Sequence, residues 1–201
     1  MAILLWHRTP DLLAGFGYNL LIAVLAMLLG TLAGALLGAG RYHRLAVLRL
    51  PARWATSVCR NVPSFVLMFY IAFVFPVEIE WGGQIIMVPL WFKVTLSLII
   101  PVMGFASDQM LALLSQRARG QEGAGATFLV SWVQYYLIVL MASATASIIG
   151  VDDVVGRANE MIAFVNAPGF LLLTYSYVCL FFFASGLLVT VAARRLEAIL
   201  E

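Results

Sequence analysis

Apolar residues run almost unbroken over 12–40, 55–76, 88–114, 127–150 and 170–193, and polar residues gather in the gaps between these runs. Each run is near or above the ~20 residues an α-helix needs to cross the hydrocarbon core of a bilayer. The pattern predicts an all-α integral membrane protein with five transmembrane helices in a single domain over 1–201. The runs are continuous rather than alternating, which argues against a membrane β-barrel. The first run is rich in Gly and Ala and has no basic segment before it, so it reads as a spanning helix rather than a cleaved leader. Between the third and fourth runs lies the most polar stretch, Ser-Gln-Arg-Ala-Arg-Gly-Gln-Glu-Gly-Ala-Gly-Ala at 115–126, which reads as a loop.

Composition strengthens the membrane reading. Of 201 residues, 63% are apolar and 11% charged, and the mean hydropathy is +1.00. A soluble domain of this size has too little polar surface to cover such a core. The net charge of +2 says less than where the charges fall. Arg41, Arg44, Arg49 and Arg53 follow the first run, Arg117 and Arg119 the third, and Arg194 and Arg195 the fifth. Asp11, Glu78, Glu80, Asp152, Asp153 and Glu160 sit on the other side, against Arg8 and Arg157. The excess of arginine on cytoplasmic loops then places the N-terminus outside the cell (inner) membrane and the C-terminus in the cytoplasm. Trp6, Trp81 and Trp91 fall near the outer boundary, where interfacial aromatics gather.

Few side chains offer chemistry. Cys59 and Cys179 lie in apolar runs and read as small buried residues. His7 and His43 have no ligand partners at metal-binding spacing, so no metal site is expected. No nucleophile, base and acid converge, and no phosphate-binding loop occurs, so the chain is not expected to be an enzyme. Polar residues inside the runs are the candidates. Arg60 and Asn61 precede Val62-Pro63, where proline removes a helix hydrogen bond. Asp108, late in the third run, needs a partner at membrane depth, and Arg60 lies toward the same side. Gln134 and Ser143 are the polar residues of interest in the fourth run; its hydroxyls can also bond their own backbone. Gly30, Gly34 and Gly38 form a stripe at four-residue spacing that lets another helix approach closely, either within the chain or from a second subunit.

Four segments resemble the permease subunits of ABC importers for polar amino acids. They are Gly15-Phe16-Gly17-Tyr18-Asn19-Leu20, the Arg60-Asn61-Val62-Pro63 segment running to Phe73, the Ala146-Ser147-Ile148-Ile149-Gly150 segment running to 164, and the tail at 193–200. The resemblance implies a type I importer-like permease fold that pairs with a second permease subunit, most plausibly as a heterodimer. It further implies separate ABC ATPase subunits that hold the ATP, an extracytoplasmic solute-binding protein that delivers substrate, and contact with membrane lipid. No cofactor on this chain and no nucleic-acid partner are expected. Arg60, Asn61, Asp108, Gln134 and Ser143 become substrate-pathway candidates, and Arg119, Gly120, Gln121 and Glu122 match the start of the family's coupling helix. Here the chain departs from the pattern. It is short by about one crossing, ~20 residues, and a segment cut to 115–126 with three glycines disfavours a stable helix. Leu67 and Leu111 replace a glutamine and an arginine usual in the family. These losses leave an alternative, a structural or regulatory subunit derived from a permease.

Overall fold

The computed structural model describes residues 1–200. Glu201, the side chain of Trp81 and those of 196–200 lie outside the described residues, and with them the boundary role read for Trp81 and most of the tail at 193–200. In chain order the elements are α1 (Ala2–Tyr42), α2 (Ala46–Asn61), α3 (Ser64–Val74), strands β1 (Glu78–Trp81) and β2 (Gln84–Met87), α4 (Leu90–Ala118), α5 (Ala124–Ser143), α6 (Val154–Val165) and α7 (Phe170–Leu200). A 3-10 turn, Ala144–Ile149, prolongs α5. Among the described residues four segments are long and apolar enough to cross a membrane: Ala2–Tyr42, Leu90–Ala118, Ala124–Ile149 and Phe170–Arg195. The α2–α3 pair makes a fifth if its two helices count as one broken span.

α1 begins ten residues before the run at 12–40. At 1.5 Å per residue its 41 residues reach about 60 Å, roughly twice the hydrocarbon thickness. The added turns are held by packing rather than by hydropathy: Leu5, Leu12 and Phe16 bury against Val154 and Ala158 of α6 and Phe170 and Val178 of α7.

The run at 55–76 is not a single straight helix. α2 starts at Ala46, and α2 and α3 meet at a bend of 93°. Pro63 explains the break, because its ring disfavours a helical residue before it; Val62 is extended at φ −81°, ψ 124°. α3 has 11 residues, about 16 Å, enough for half a membrane. Beyond it, β1 and β2 form an antiparallel hairpin pairing Glu78 with Met87 and Trp81 with Gln84. Its turn is Gly82-Gly83 at φ 61° and 80°, the doubly positive geometry that matches strand twist and suits glycine.

The centre of the bundle is the contact between α1 and α4, where Ile22, Ala23, Ala26 and Met27 pack with Val94, Leu98 and Val102. The glycine stripe lies on this contact. A Cβ on Gly30 would stand 2.6 Å from that of Val102, one on Gly34 2.5 Å from the Met103 carbonyl oxygen, and one on Gly38 2.7 Å from the Ser107 carbonyl oxygen. Of the two partners the stripe left open, the one within the chain fills it: Gly30, Gly34 and Gly38 close α1 onto α4. Their contacts advance together along both helices, so α1 and α4 run parallel.

The polar stretch at 115–126 is mostly helical. Residues 115–118 finish α4, 124–126 begin α5, and only 119–123 form a turn. Gly120 adopts φ 69°, a conformation that ends a helix, and Gly123 adopts φ 76° just before α5 begins.

Candidate functional site

Polar side chains collect at two ends of the bundle. Near the α4–α5 turn, Asp108 of α4 accepts from Arg41 Nη1 at 2.6 Å and from Arg60 Nη1 at 3.2 Å. Arg41 Nη1 also donates to Ser107 Oγ at 3.0 Å, and Ser107 Oγ lies 2.7 Å from Thr56 Oγ1. Three helices thus meet on one carboxylate. Gly104 permits it, since a Cβ there would come within 2.9 Å of the Arg60 backbone nitrogen. The Arg41 side chain is 15% exposed and that of Arg60 is 60% exposed. Arg41 is the nearer and better shielded partner, and the exposed Arg60 pair adds about 1 kcal/mol at most. Asn61 turns away from the cluster and donates to the Ser57 carbonyl at 2.7 Å.

At the other end, Asn19 of α1 is fully buried. Its Nδ2 donates to Asp153 Oδ2 at 2.9 Å and to Ser143 Oγ at 3.1 Å, while its Oδ1 accepts from the Val154 backbone N–H at 3.2 Å. Asp153 Oδ1 accepts from the Gly156 N–H at 2.8 Å and so caps α6. Burial pushes the Asp153 carboxyl up, and the hydrogen bonds from Gly156 and Asn19 hold part of that rise back. Arg157, one turn on, donates to Asp152 Oδ2 at 2.7 Å and to Asp11 Oδ1 at 2.8 Å. Burial works against the Arg157 cation, but Asp152 and Asp11 outweigh it and raise its pKa.

The five pathway candidates do not share a site. Arg60 and Asp108 come together; Ser143 belongs to the Asn19 network, where its Oγ also donates to the Leu140 carbonyl at 2.7 Å. Gln134 is exposed on the outer face of α5 and makes no side-chain hydrogen bond among the described residues. Sequence reasoning passed over three residues. Arg41 had entered only as a loop charge, Asn19 only as part of a weak match, and Lys93 not at all. Lys93 is 1% exposed, and its Nζ donates to the Phe75 carbonyl at 2.9 Å and the Ala72 carbonyl at 3.3 Å. A cation there satisfies the carbonyls at the end of α3 and complements its dipole. A lone lysine inside an apolar run was the available signal.

Arg119, Gly120, Gln121 and Glu122 all lie exposed in the five-residue turn, so no coupling helix is formed. Backbone bonds from Arg119 and Gln121 to the Gln116 carbonyl, both 3.1 Å, close it as a tight helix end.

No family model matches the chain. Over 75 residues it is 39% identical to the probable amino-acid ABC transporter permease protein YckA of Bacillus subtilis (strain 168). That segment is 37% of this chain and 33% of the relative, so the match spans about a third of the relative's length. The crystal structure of an amino acid ABC transporter with histidines superimposes with a TM-score of 0.79, at 17% identity over 98% of each chain. This is the fold of an amino acid ABC transporter permease. The chain resembles such permeases in segment sequence and in architecture, and it is a multi-pass membrane protein. Within this permease fold the α4–α5 connection is the short turn just described.

Proposed function

We propose that this chain is the membrane subunit of an ABC importer for a polar or charged amino acid or related small solute, working as one half of a heterodimer. ATP hydrolysis belongs to separate ATPase subunits, a solute-binding protein delivers substrate from outside, and this chain holds no cofactor. The N-terminus is outside and the α4–α5 turn is cytoplasmic. The observation that carries this reading is the superposition over 98% of both chains. The outer face of α5 supports a second subunit: Gln134 shares it with Ile138 and Met141, which are 54% and 59% exposed. An amide on such a face needs partners that lipid does not supply. Arg60, Asn61, Asp108 and Gln134 remain the pathway candidates, and Arg119, Gly120, Gln121 and Glu122 touch the ATPase. Ser143 serves the fold instead.

The test is co-purification of ABC ATPase subunits with this chain from its native membranes, with and without residues 116–125, together with uptake by Gln121→Ala/Glu122→Ala. Association lost on deletion, with uptake uncoupled from ATP hydrolysis in the double variant, is the expected outcome. The missing coupling helix favours one specific second reading, a non-coupling half. That reading predicts an ATPase retained only through the other permease subunit and an inert double variant. Absence of any ATPase association sinks both.

A further inference from the structure

α2 presents three distinct faces. Ala52, Thr56 and Cys59 are buried, with Ala52 against Gly40 and Thr56 bonded to Ser107. Val47, Leu50, Trp54 and Val58 recur at helical spacing on the opposite side and are 82%, 51%, 75% and 56% exposed. Between these faces runs a polar row, Arg49, Arg53, Ser57 and Arg60. Arg53, Trp54 and Ser57 line a hollow of about 250 Å³. Arg49 Nε is buried with no acceptor among the described residues.

The placement of α2 gives these faces a meaning. It meets α3 at a bend of 93°, and its buried face packs on the later turns of α1 and α4, with Ala52 on Gly40, Thr56 on Ser107 and Arg60 over Gly104. Gly104 and Asp108 lie about 21 and 27 Å along α4 from Leu90, close to where a ~30 Å hydrocarbon layer ends. A helix packed at that rim, apolar on one exposed arc and cationic on the next, matches an interfacial helix. Arginines there face phosphate-bearing headgroups, and anionic ones attract them further.

We propose that α2 is an anionic-phospholipid site: Arg49 and Arg53, with Ser57, bind the headgroup phosphate while Trp54 and Val47 sit at the acyl boundary. The inference rests on the chain spanning a membrane and not on transport, so it stands or falls separately from the importer reading. The full chain is reconstituted in phosphatidylcholine vesicles, and association is measured with spin-labelled phosphatidylglycerol against spin-labelled phosphatidylcholine. The wild type should prefer the anionic probe. The preference should fall toward unity in Arg49→Gln/Arg53→Gln, since an arginine near an anionic surface contributes roughly fivefold. Arg194→Gln/Arg195→Gln, with the same charge change at the end of α7, should leave it intact. An equal association of the two lipids, an unchanged preference in the α2 variant, or an equal loss in the α7 variant overturns the proposal. A photoreactive side chain at position 54 in native membranes should give lipid adducts; adducts only to a protein subunit overturn it too.

Discussion

Asp108 and Asp153 are both carboxylates held by side chains from α1, yet they are satisfied by different chemistry. Asp108, 31% exposed, meets two arginines. Asp153 is fully buried and pairs with no cation among the described residues; it meets the Asn19 amide and the first N–H groups of α6. Near the arginine-rich end, charge is the available partner and partial solvation lowers its cost. At the other end Arg157 is already held by Asp11 and Asp152, and a helix N-terminus supplies neutral donors and a favourable dipole. A buried carboxylate thus depends on a fully satisfied neutral network, whereas the rim carboxylate tolerates loss of its weaker partner.

The sharpest way to break this comparison is Asn19→Leu. It removes donors from Asp153 and Ser143 and the acceptor of the Val154 N–H at once, and we expect a loss of about 3–5 kcal/mol in detergent unfolding. Asp108→Ala should cost less, about 2 kcal/mol, because Arg41 is left unpaired at a site that water partly reaches. Arg60→Gln should cost under about 1 kcal/mol in the same assay. If it matched Asp108→Ala, the exposed pair rather than Arg41 would hold the cluster.

The smallest effect is on pH. A carboxyl whose folded pKa is raised favours the protonated native state, so its contribution to stability falls as pH rises. The fall begins near the ordinary value of 3.8 and ends above the raised pKa of Asp153. In Asp153→Asn that part of the slope should vanish from unfolding measured across acid to neutral pH, while Arg60→Gln leaves it unchanged. A slope that survives in Asp153→Asn assigns the titration to another group.

Much of the fold was legible because hydropathy reports solvent directly. α4, α5 and α7 fall close to their apolar runs. The Arg60–Asp108 pair was legible as well, since two opposite charges at similar depth in oil have few other partners. α2 was hidden because Arg49 and Arg53 lower its hydropathy while its period stays helical. The hairpin was hidden by its four-residue strands, although Gly-Gly between alternating residues is a turn signal. Lys93 was hidden because its partners are backbone carbonyls, which no side-chain pattern records.

The sequence by itself determined that the chain lives in a membrane, where most of its apolar helices lie, and that Pro63 disturbs one of them. These follow from local chemistry, the transfer of side chains into hydrocarbon and the missing proline N–H. Only the tertiary structure decided that Gly30, Gly34 and Gly38 face α4 of the same chain, that Arg41 outranks Arg60 on Asp108, and that Asn19 ties α1 to α5 and α6. A stripe of small residues or a buried amide states a need for a close or polar neighbour. Which neighbour answers depends on how distant helices pack, and that information lies in no one segment.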